Sequence, residues 1–327
     1  MVAFAERKSA GDFVSPASHS TATSADWPEL PLAAWQATRD TLQLWTQIVG
    51  KVRLALAPPI NHWWNVTLYV TARGLTTSPM PCGGVRTIQI DFDFIDHKLI
   101  IACSDGRSEI MELAPRSVAD FYREFVARLA ALDVTVKIWA MPVEIEGAIP
   151  FDQDRTHAAY DKEYANRFWR ALVQSDRVMK KFRGRFLGKV SPVHFFWGSF
   201  DLAVTRFSGR RAPDFTGAAP HTGNWVMREA YSHEVSSCGF WPGDARYAAP
   251  AFYSYAYPAP EGFAQAKVRP ASASYHAVLG EFILPYEAVR QAADPDDTLL
   301  QFLQSTYETA ADLARWDRAA LERPPPK

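Results

Sequence analysis

Cysteine is scarce in this sequence, which has three thiols in 327 residues, at Cys82, Cys103 and Cys238. Three widely spaced cysteines are too few for a disulfide framework or a four-cysteine zinc site. Net charge is also lacking, because 35 basic residues face 36 acidic ones and leave a formal charge of −1. A chain so close to neutral is poorly suited to coating a nucleic-acid backbone. The composition therefore argues against a nucleic-acid partner.

Long apolar runs are absent too. No stretch approaches the roughly 20 apolar residues that cross a bilayer, and the charges of Glu6, Arg7 and Lys8 precede any possible signal-peptide core. We expect a cytoplasmic protein without a membrane partner. Nothing in the pattern indicates an oligomeric state.

The familiar catalytic and cofactor motifs are missing as well. The chain has no G-x-S-x-G elbow, no Walker glycine loop and no G-x-G-x-x-G that opens a helix after a strand. No two histidines have the HxxxH or HExxH spacing that places two imidazoles on one helix face. Enzymes that use nucleotide cofactors are disfavoured, and no cofactor is predicted.

The periodicity of the chain divides it into two halves between two short tails. Residues 1–26 are rich in Ser, Thr and Ala and predict a mobile tail, and residues 321–327 predict a frayed end. An N-terminal half spans 27–150 and a C-terminal half spans 151–320. Strands cluster between helices instead of alternating singly with them, which predicts an α+β fold of two similar halves, each a mainly antiparallel sheet covered by helices.

Helices and strands in the first half follow from apolar spacing. A helix ends at Gly50, strands follow over 66–73 and 85–94, and a strongly periodic helix covers 118–132. We expect another strand over 134–139 and a connecting segment over 141–150. The second half opens with a long helix that ends near Gly184.

A weak internal repeat supports the division into halves. Gly50-Lys51-Val52 matches Gly188-Lys189-Val190, and each block is followed by proline, histidine and aromatic residues before a strand that ends in arginine. The first copy contains His62, Trp64 and Arg73. The second contains His194, Trp197 and Arg206. The offsets differ between blocks, so chance similarity is a rival explanation.

Several long strings resemble an uncharacterised bacterial family, domain of unknown function 5996. They are WPELPLAAW (27–35), GKVRLALAPPINHWWNVTLYVTARGLTTSP (50–79), SPVHFFWGSFDLAVTRFSGR (191–210) and REAYSHEVSSCGFWPG (228–243). The resemblance extends from Trp27 to Glu322. It implies a single-family unit, and it implies no activity, cofactor or catalytic residue.

Aromatic residues beside hydrogen-bonding groups are the main peculiarity, with 11 Trp, 20 Phe and 12 Tyr. Such clusters can form a stacking pocket, and the simpler alternative is a large aromatic core. We expect a ligand-binding cleft between the halves. Its candidate residues are His62, Trp64, Arg73, His194, Trp197, Arg206, His233 and Glu234. The two arginines would bind an anionic group, or each would pair internally with a carboxylate such as Asp91, Asp93, Asp201 or Glu234.

Other constellations have both a functional and a structural interpretation. His194, His233 and Glu234, or His221, could hold zinc or iron, although a histidine bonded to a backbone carbonyl is the simpler interpretation of each. Asp91 and Asp93 share one side of a predicted strand. The two carboxylates could bind a divalent cation, or they could belong to a polar face that is turned to water. Cys238 is a nucleophile or an inert buried thiol.

A basic run ends the long helix of the second half, either as an anion-binding patch or as cations that complement the carbonyl end of the helix dipole. It comprises Arg177, Lys180, Lys181, Arg183, Arg185 and Lys189.

Two classes of function therefore stay open. The first is a small-molecule-binding protein whose aromatic, His- and Arg-lined cleft holds a polar or anionic ligand. The second is a metal-assisted hydrolase that uses His194, His233 and Glu234. Whether the protein is an enzyme is undecided from the sequence.

Overall fold

The computed structural model describes Thr23 and residues 26–324. Most of the predicted mobile tail, and residues 325–327 of the predicted frayed end, lie outside this range. Leu321 and Arg323 belong to the described residues and make backbone hydrogen bonds, with the amide of Leu187 at 2.7 Å and the carbonyl of Arg185 at 2.9 Å.

The first half begins with a long helix and continues into an antiparallel sheet of six strands. Its elements are α1 (Leu32–Leu56), β1 (Tyr69–Val70), β2 (Gly74–Thr76), β3 (Met80–Pro81), β4 (Thr87–Asp93), β5 (Lys98–Cys103), β6 (Ser108–Glu112) and α2 (Val118–Ala131). The strand order is β1-β2-β4-β5-β6, with β3 also paired to β4. Helix α2 begins with the side chain of Ser117, which accepts a hydrogen bond from the Asp120 amide.

The second half repeats this general plan. Its elements are α3 (Lys162–Gly184), β7 (His194–Phe196), β8 (Asp201–Arg211), α4 (Asn224–Ala230), β9 (His233–Trp241), β10 (Ala251–Tyr257), β11 (Ser274–His276), β12 (Glu281–Pro285), α5 (Tyr286–Arg290), α6 (Pro295–Leu313) and α7 (Arg318–Leu321). The sheet order is β11-β12-β10-β9-β8-β7, and every pairing is antiparallel. The predicted α+β class with two antiparallel sheets is confirmed.

The two sheets meet at Leu68 and Phe195, whose amides and carbonyls exchange two hydrogen bonds of 2.9 Å. Buried apolar side chains from both halves form one continuous core. Its aromatic packing includes the indole of Trp45, which stacks on Phe121 with ring centroids 4.6 Å apart. The aromatic-core interpretation therefore holds for much of the aromatic content. Among the described helices, none is both long and apolar enough to cross a membrane.

Three local predictions were wrong. Helix α1 continues through Gly50 to Leu56, and the missing side chain at Gly50 makes room for the indole of Trp197, which a Cβ would overlap. Residues 134–139 form no strand, although their alternation resembles one. Of the strand expected over 66–73, only β1 (Tyr69–Val70) forms. A tight turn follows, in which the Gly74 amide donates to Thr71 Oγ1 at 3.0 Å, and β2 begins at that glycine.

Candidate functional site

A cavity of about 500 Å³ lies at the junction of the two halves. The first half contributes the C-terminal part of α1, residues 62–66 and residues 137–144. The second half contributes the strands β8, β9 and β10 together with residues 219–231. A ligand in this cavity would contact both halves at once.

Strand alternation decides which side chains reach the cavity. Asp201, Ala203, Thr205 and Phe207 follow one another at a spacing of two along β8, and all four line the cavity. Their neighbours Leu202 and Val204 point to the opposite face of the sheet and are fully buried in the core.

Five tryptophans form much of the wall: Trp63, Trp64, Trp139, Trp197 and Trp225. Two of them are held across the junction by their indole N–H groups, since Trp197 donates to the Val66 carbonyl at 2.7 Å and Trp63 donates to the Val226 carbonyl at 3.1 Å. Trp139 and Trp225 are 59% and 64% exposed. Large aromatic faces are therefore available to a ligand.

A carboxyl cluster lies at the second sheet. Asp201 accepts hydrogen bonds from the hydroxyls of Tyr253 and Ser199. Burial, followed by the nearby charge of Asp201, raises the pKa of the Glu144 carboxyl to about 7. Glu144 reaches this position because its carboxylate lies over Gly198, where a Cβ would overlap it. This end of the cavity combines proton donors with carboxyl groups.

A lysine reaches the cavity from α1. The Lys51 side chain is 5% exposed, and its Nζ lies 5.1 Å from the ring centre of Trp139. Burial lowers the pKa of this amine to about 8. An amine with such a pKa is a common feature of functional sites.

Backbone strain concentrates at the same place. Nine non-glycine residues in the described part of the chain have positive φ, and four of them line the cavity: His62, Trp63, Glu144 and His221, with φ between 53° and 60°. Such conformations cost energy and persist where the surrounding structure enforces them, often at functional sites.

Three of the residues predicted for the cleft line this cavity: His62, Trp64 and Trp197. His62 Nδ1 lies 3.1 Å from the Ala230 carbonyl and Nε2 lies 2.8 Å from Lys189 Nζ. The ammonium of Lys189 donates to Nε2, so Nδ1 carries the proton and donates to Ala230. His62 thus connects the two halves beside the cavity.

The two predicted arginines lie outside this cavity. Arg73 pairs internally with carboxylates, whereas no carboxylate in the described part of the chain lies within ion-pair distance of Arg206. Arg73 binds Asp93 at 2.6 Å and Asp96 at 2.9 Å at the edge of the first sheet. Arg206 lies on the helix-facing side of β8, where it donates to the Phe182 carbonyl.

The Arg206 guanidinium also packs against the rings of Phe182 and Tyr307, at 3.5 and 4.2 Å from the ring centres. The structure therefore does not bring the two arginines together at a cleft.

His194, His233 and Glu234 are not brought together either. His194 pairs with Ala203 and His233 pairs with Arg211, eight residues further along β8. Glu234 binds Arg210 at 2.7 Å. Over the described ranges, no group of three or more His, Cys, Asp or Glu side chains is arranged to hold a metal ion.

The remaining candidates have structural partners. Asp93 binds Arg73 and accepts from the Ile95 and Asp96 amides, whereas Asp91 accepts from Gln89. Burial raises the pKa of the Cys238 thiol to about 12, which is typical of an unreactive thiol.

Much of the basic run is neutralised within the fold. Arg177 and Lys181 both bind Asp296, and Lys180 binds Asp176 at 2.6 Å.

Sequence reasoning missed Glu144, Lys51, Tyr253 and Trp139 as cavity residues. Glu144 lies in the segment interpreted as a connection, and Lys51 lies beyond the predicted end of the first helix. One available signal was the repeated Gly-Lys-Val block that contains Lys51.

The fold and the cavity define an α+β protein of two six-stranded antiparallel sheets with an aromatic, charged cavity at their junction. A family model described as a family of unknown function, DUF5996, matches residues 27–323, and the chain belongs to this family. No curated protein and no solved structure matches the chain.

Proposed function

We propose that this protein binds a small organic molecule in the junction cavity. The observation that carries the proposal is a cavity of about 500 Å³ that is walled by five tryptophans and contains ionisable side chains. Binding sites for small molecules typically enclose about 300–1,000 Å³, are mostly apolar and aromatic, and contain a few placed polar groups. The cavity has each of these properties.

The rigidity of the walls also supports the proposal. Trp63, Trp197 and His62 are each fixed by a hydrogen bond to the opposite half. Walls fixed before binding spare the ligand the entropy cost of ordering them.

A metal-assisted hydrolase has less support. Its three candidate ligands lie apart, and the carboxyl groups of the cavity come from residues outside that set. We therefore propose that the side chains of the cavity bind the ligand directly, without a metal ion.

A substitution that fills the cavity tests the proposal. Ala55 lines the cavity from α1 and is exposed, so Ala55→Trp should occupy binding space without disturbing the core. Ala34 is exposed on the same helix outside the cavity lining, which makes Ala34→Trp the matched control.

A thermal-shift screen of small organic compounds should find stabilising compounds for the wild type, since binding to the native state raises stability by about 2.7 kcal/mol at a concentration of 100 Kd. The same compounds should stabilise the Ala34→Trp variant and fail to stabilise Ala55→Trp. Equal stabilisation of both variants would place the binding elsewhere. A screen without any stabilising compound would refute the proposed function.

A further inference from the structure

Two oppositely charged side chains of the cavity lack a counter-charge in the protein. Lys51 is the first. Its Nζ faces the rings of Trp139 and Phe151, at 5.1 and 6.0 Å from their centres. Within Thr23 and residues 26–324, no carboxylate lies in ion-pair distance of it and no group accepts a hydrogen bond from it. Aromatic faces stabilise this cation in part and leave its hydrogen-bond donors free.

Glu144 is the second. Its side chain is exposed, and it lines the cavity. No other described residue donates a hydrogen bond to its carboxylate or forms an ion pair with it. Arg246, whose charge lowers the pKa of Glu144, already binds Asp244 at 2.8 Å.

The surroundings of Glu144 suit a positively charged group. Asp201 adds a second carboxyl, and the tyrosines 231, 253 and 255 line the same part of the cavity. The Tyr231 and Tyr255 hydroxyls lie 3.0 Å apart, and Tyr253 donates to Asp201. Carboxylates next to aromatic rings are the usual environment for an ammonium group of a ligand.

Lys51 and Glu144 do not compensate each other, because they are not within ion-pair distance. Lys51 is already buried, and Glu144 would lose its contact with water when a ligand fills the cavity. Burying an unpaired charge is costly, and proteins normally pair such groups or neutralise them. A ligand with two opposite charges would supply both missing partners. A purely cationic or purely anionic ligand would leave one side chain uncompensated, and a neutral ligand would leave both.

We infer that the ligand of the proposed binding function is a zwitterion with an aromatic or other planar body. Its cationic group lies at Glu144 and Asp201. Its anionic group lies at Lys51, and its body stacks on the tryptophans of the wall. The pKa of Glu144, raised to about 7, and that of Lys51, lowered to about 8, show that the surroundings disfavour the charged form of each group, which a counter-charge on the ligand would stabilise.

A library of four sets of compounds built on the same aryl scaffolds tests this inference. The sets are trimethylated aryl amino acids (zwitterions), their methyl esters (cations), the matching arylpropionates (anions) and the arylpropionamides (neutral). Affinities are measured by calorimetry for wild type, Lys51→Met and Glu144→Gln, each of which keeps the approximate shape of the side chain. Lys162→Met and Glu146→Gln are the matched controls, because both residues are exposed and lie outside the cavity lining.

We expect the zwitterionic set to bind best. Lys51→Met and Glu144→Gln should each weaken its binding at least tenfold, whereas the two controls should leave it unchanged. Preferred binding of another set, or zwitterion affinities that neither cavity variant changes, would overturn the inference and leave the proposed function in place. Absence of binding by all four sets and by the broader screen would overturn both.

Discussion

His194 offers a quantitative test of the packing beside the cavity. The side chain is 1% exposed, and neither ring nitrogen has a hydrogen-bond partner in the described structure. The rings of Trp64, Tyr69 and Phe196 surround the imidazole, each with its centre 5.6 Å away. Burial, and to a lesser extent the charges of Arg53 and Arg183, lowers the pKa of His194 to about 3.

The free energy of unfolding should therefore depend on pH through His194. The unfolded chain takes up a proton at this histidine near pH 6.5, and the folded protein does not do so until about pH 3. The contribution of the neutral imidazole to stability is present above pH 6.5 and is lost as the pH falls. Between pH 7.5 and pH 5 the loss amounts to about 2 kcal/mol.

His194→Phe removes this titration and keeps a ring among rings. The stability of the variant relative to wild type should rise by about 2 kcal/mol between pH 7.5 and pH 5, whatever its offset at pH 7.5. Urea unfolding followed by tryptophan fluorescence and circular dichroism gives both free energies. Because other titrating groups are shared by the two proteins, the difference isolates residue 194.

His194→Leu is the second variant, in case the larger ring does not fit. A difference that stays constant with pH for both variants would show that the imidazole is protonated normally in the folded protein.

Three further predictions concern single side chains. Gly50→Ala should destabilise the protein by about 1–3 kcal/mol in urea unfolding, because a Cβ there overlaps the Trp197 indole, whereas Gly184→Ala, with open space around it, should not. Arg206→Ala should cost about 1–3 kcal/mol, because the lost packing against Phe182 and Tyr307 is partly offset by removal of a buried cation whose Nε and Nη1 have no hydrogen-bond partner. Arg73→Gln should also lower the urea midpoint, because the Asp93 side chain is 4% exposed and loses its counter-charge; wild-type urea midpoints in both variants would contradict this. Trace acetylation at pH 8, analysed by mass spectrometry, should modify Lys51 although its side chain is buried, since an amine with a pKa of about 8 is half neutral there; a Lys51 that stays unmodified at pH 8 would contradict it.

Much of the fold was predictable because periodicity reports burial. The alternation over β4 and the helical spacing over α2 each reflect one face packed against the core. The errors arise where tertiary contact overrides local preference. Gly50 is a stop signal in isolation, yet it lies within α1, whose residues on both sides of it are buried, and the absence of a side chain there gives the Trp197 ring its space.

The alternation of residues along β8 could also have predicted which face of the sheet Arg206 lies on. Alternation over β8 places it on the face of Leu202 and Val204, and that face packs against α3 and α6. The hypothesis of a cleft lined by arginines treated the residue as the end of a strand, but β8 continues to Arg211 and buries it.

The charged residues of the cavity could not be predicted in the same way. Glu144 lies in a segment without helix or strand, where no periodicity assigns a direction to its side chain. Its location follows from contacts distant in sequence, namely Gly198 below its carboxylate and the Pro220 carbonyl, which accepts from its amide at 2.8 Å.

Three ring side chains of the two similar sequence blocks hold the halves together around the cavity. His62 bonds to the Ala230 carbonyl, Trp63 to that of Val226, and Trp197 to that of Val66. Each bond crosses the junction and satisfies a ring N–H that would otherwise be costly to bury. Histidine and tryptophan stand out in the sequence because a buried ring with a polar N–H group needs a hydrogen-bond partner nearby. The groups available to a ligand, Glu144 and Lys51, need only the correct position, and a position set by distant contacts leaves no local pattern.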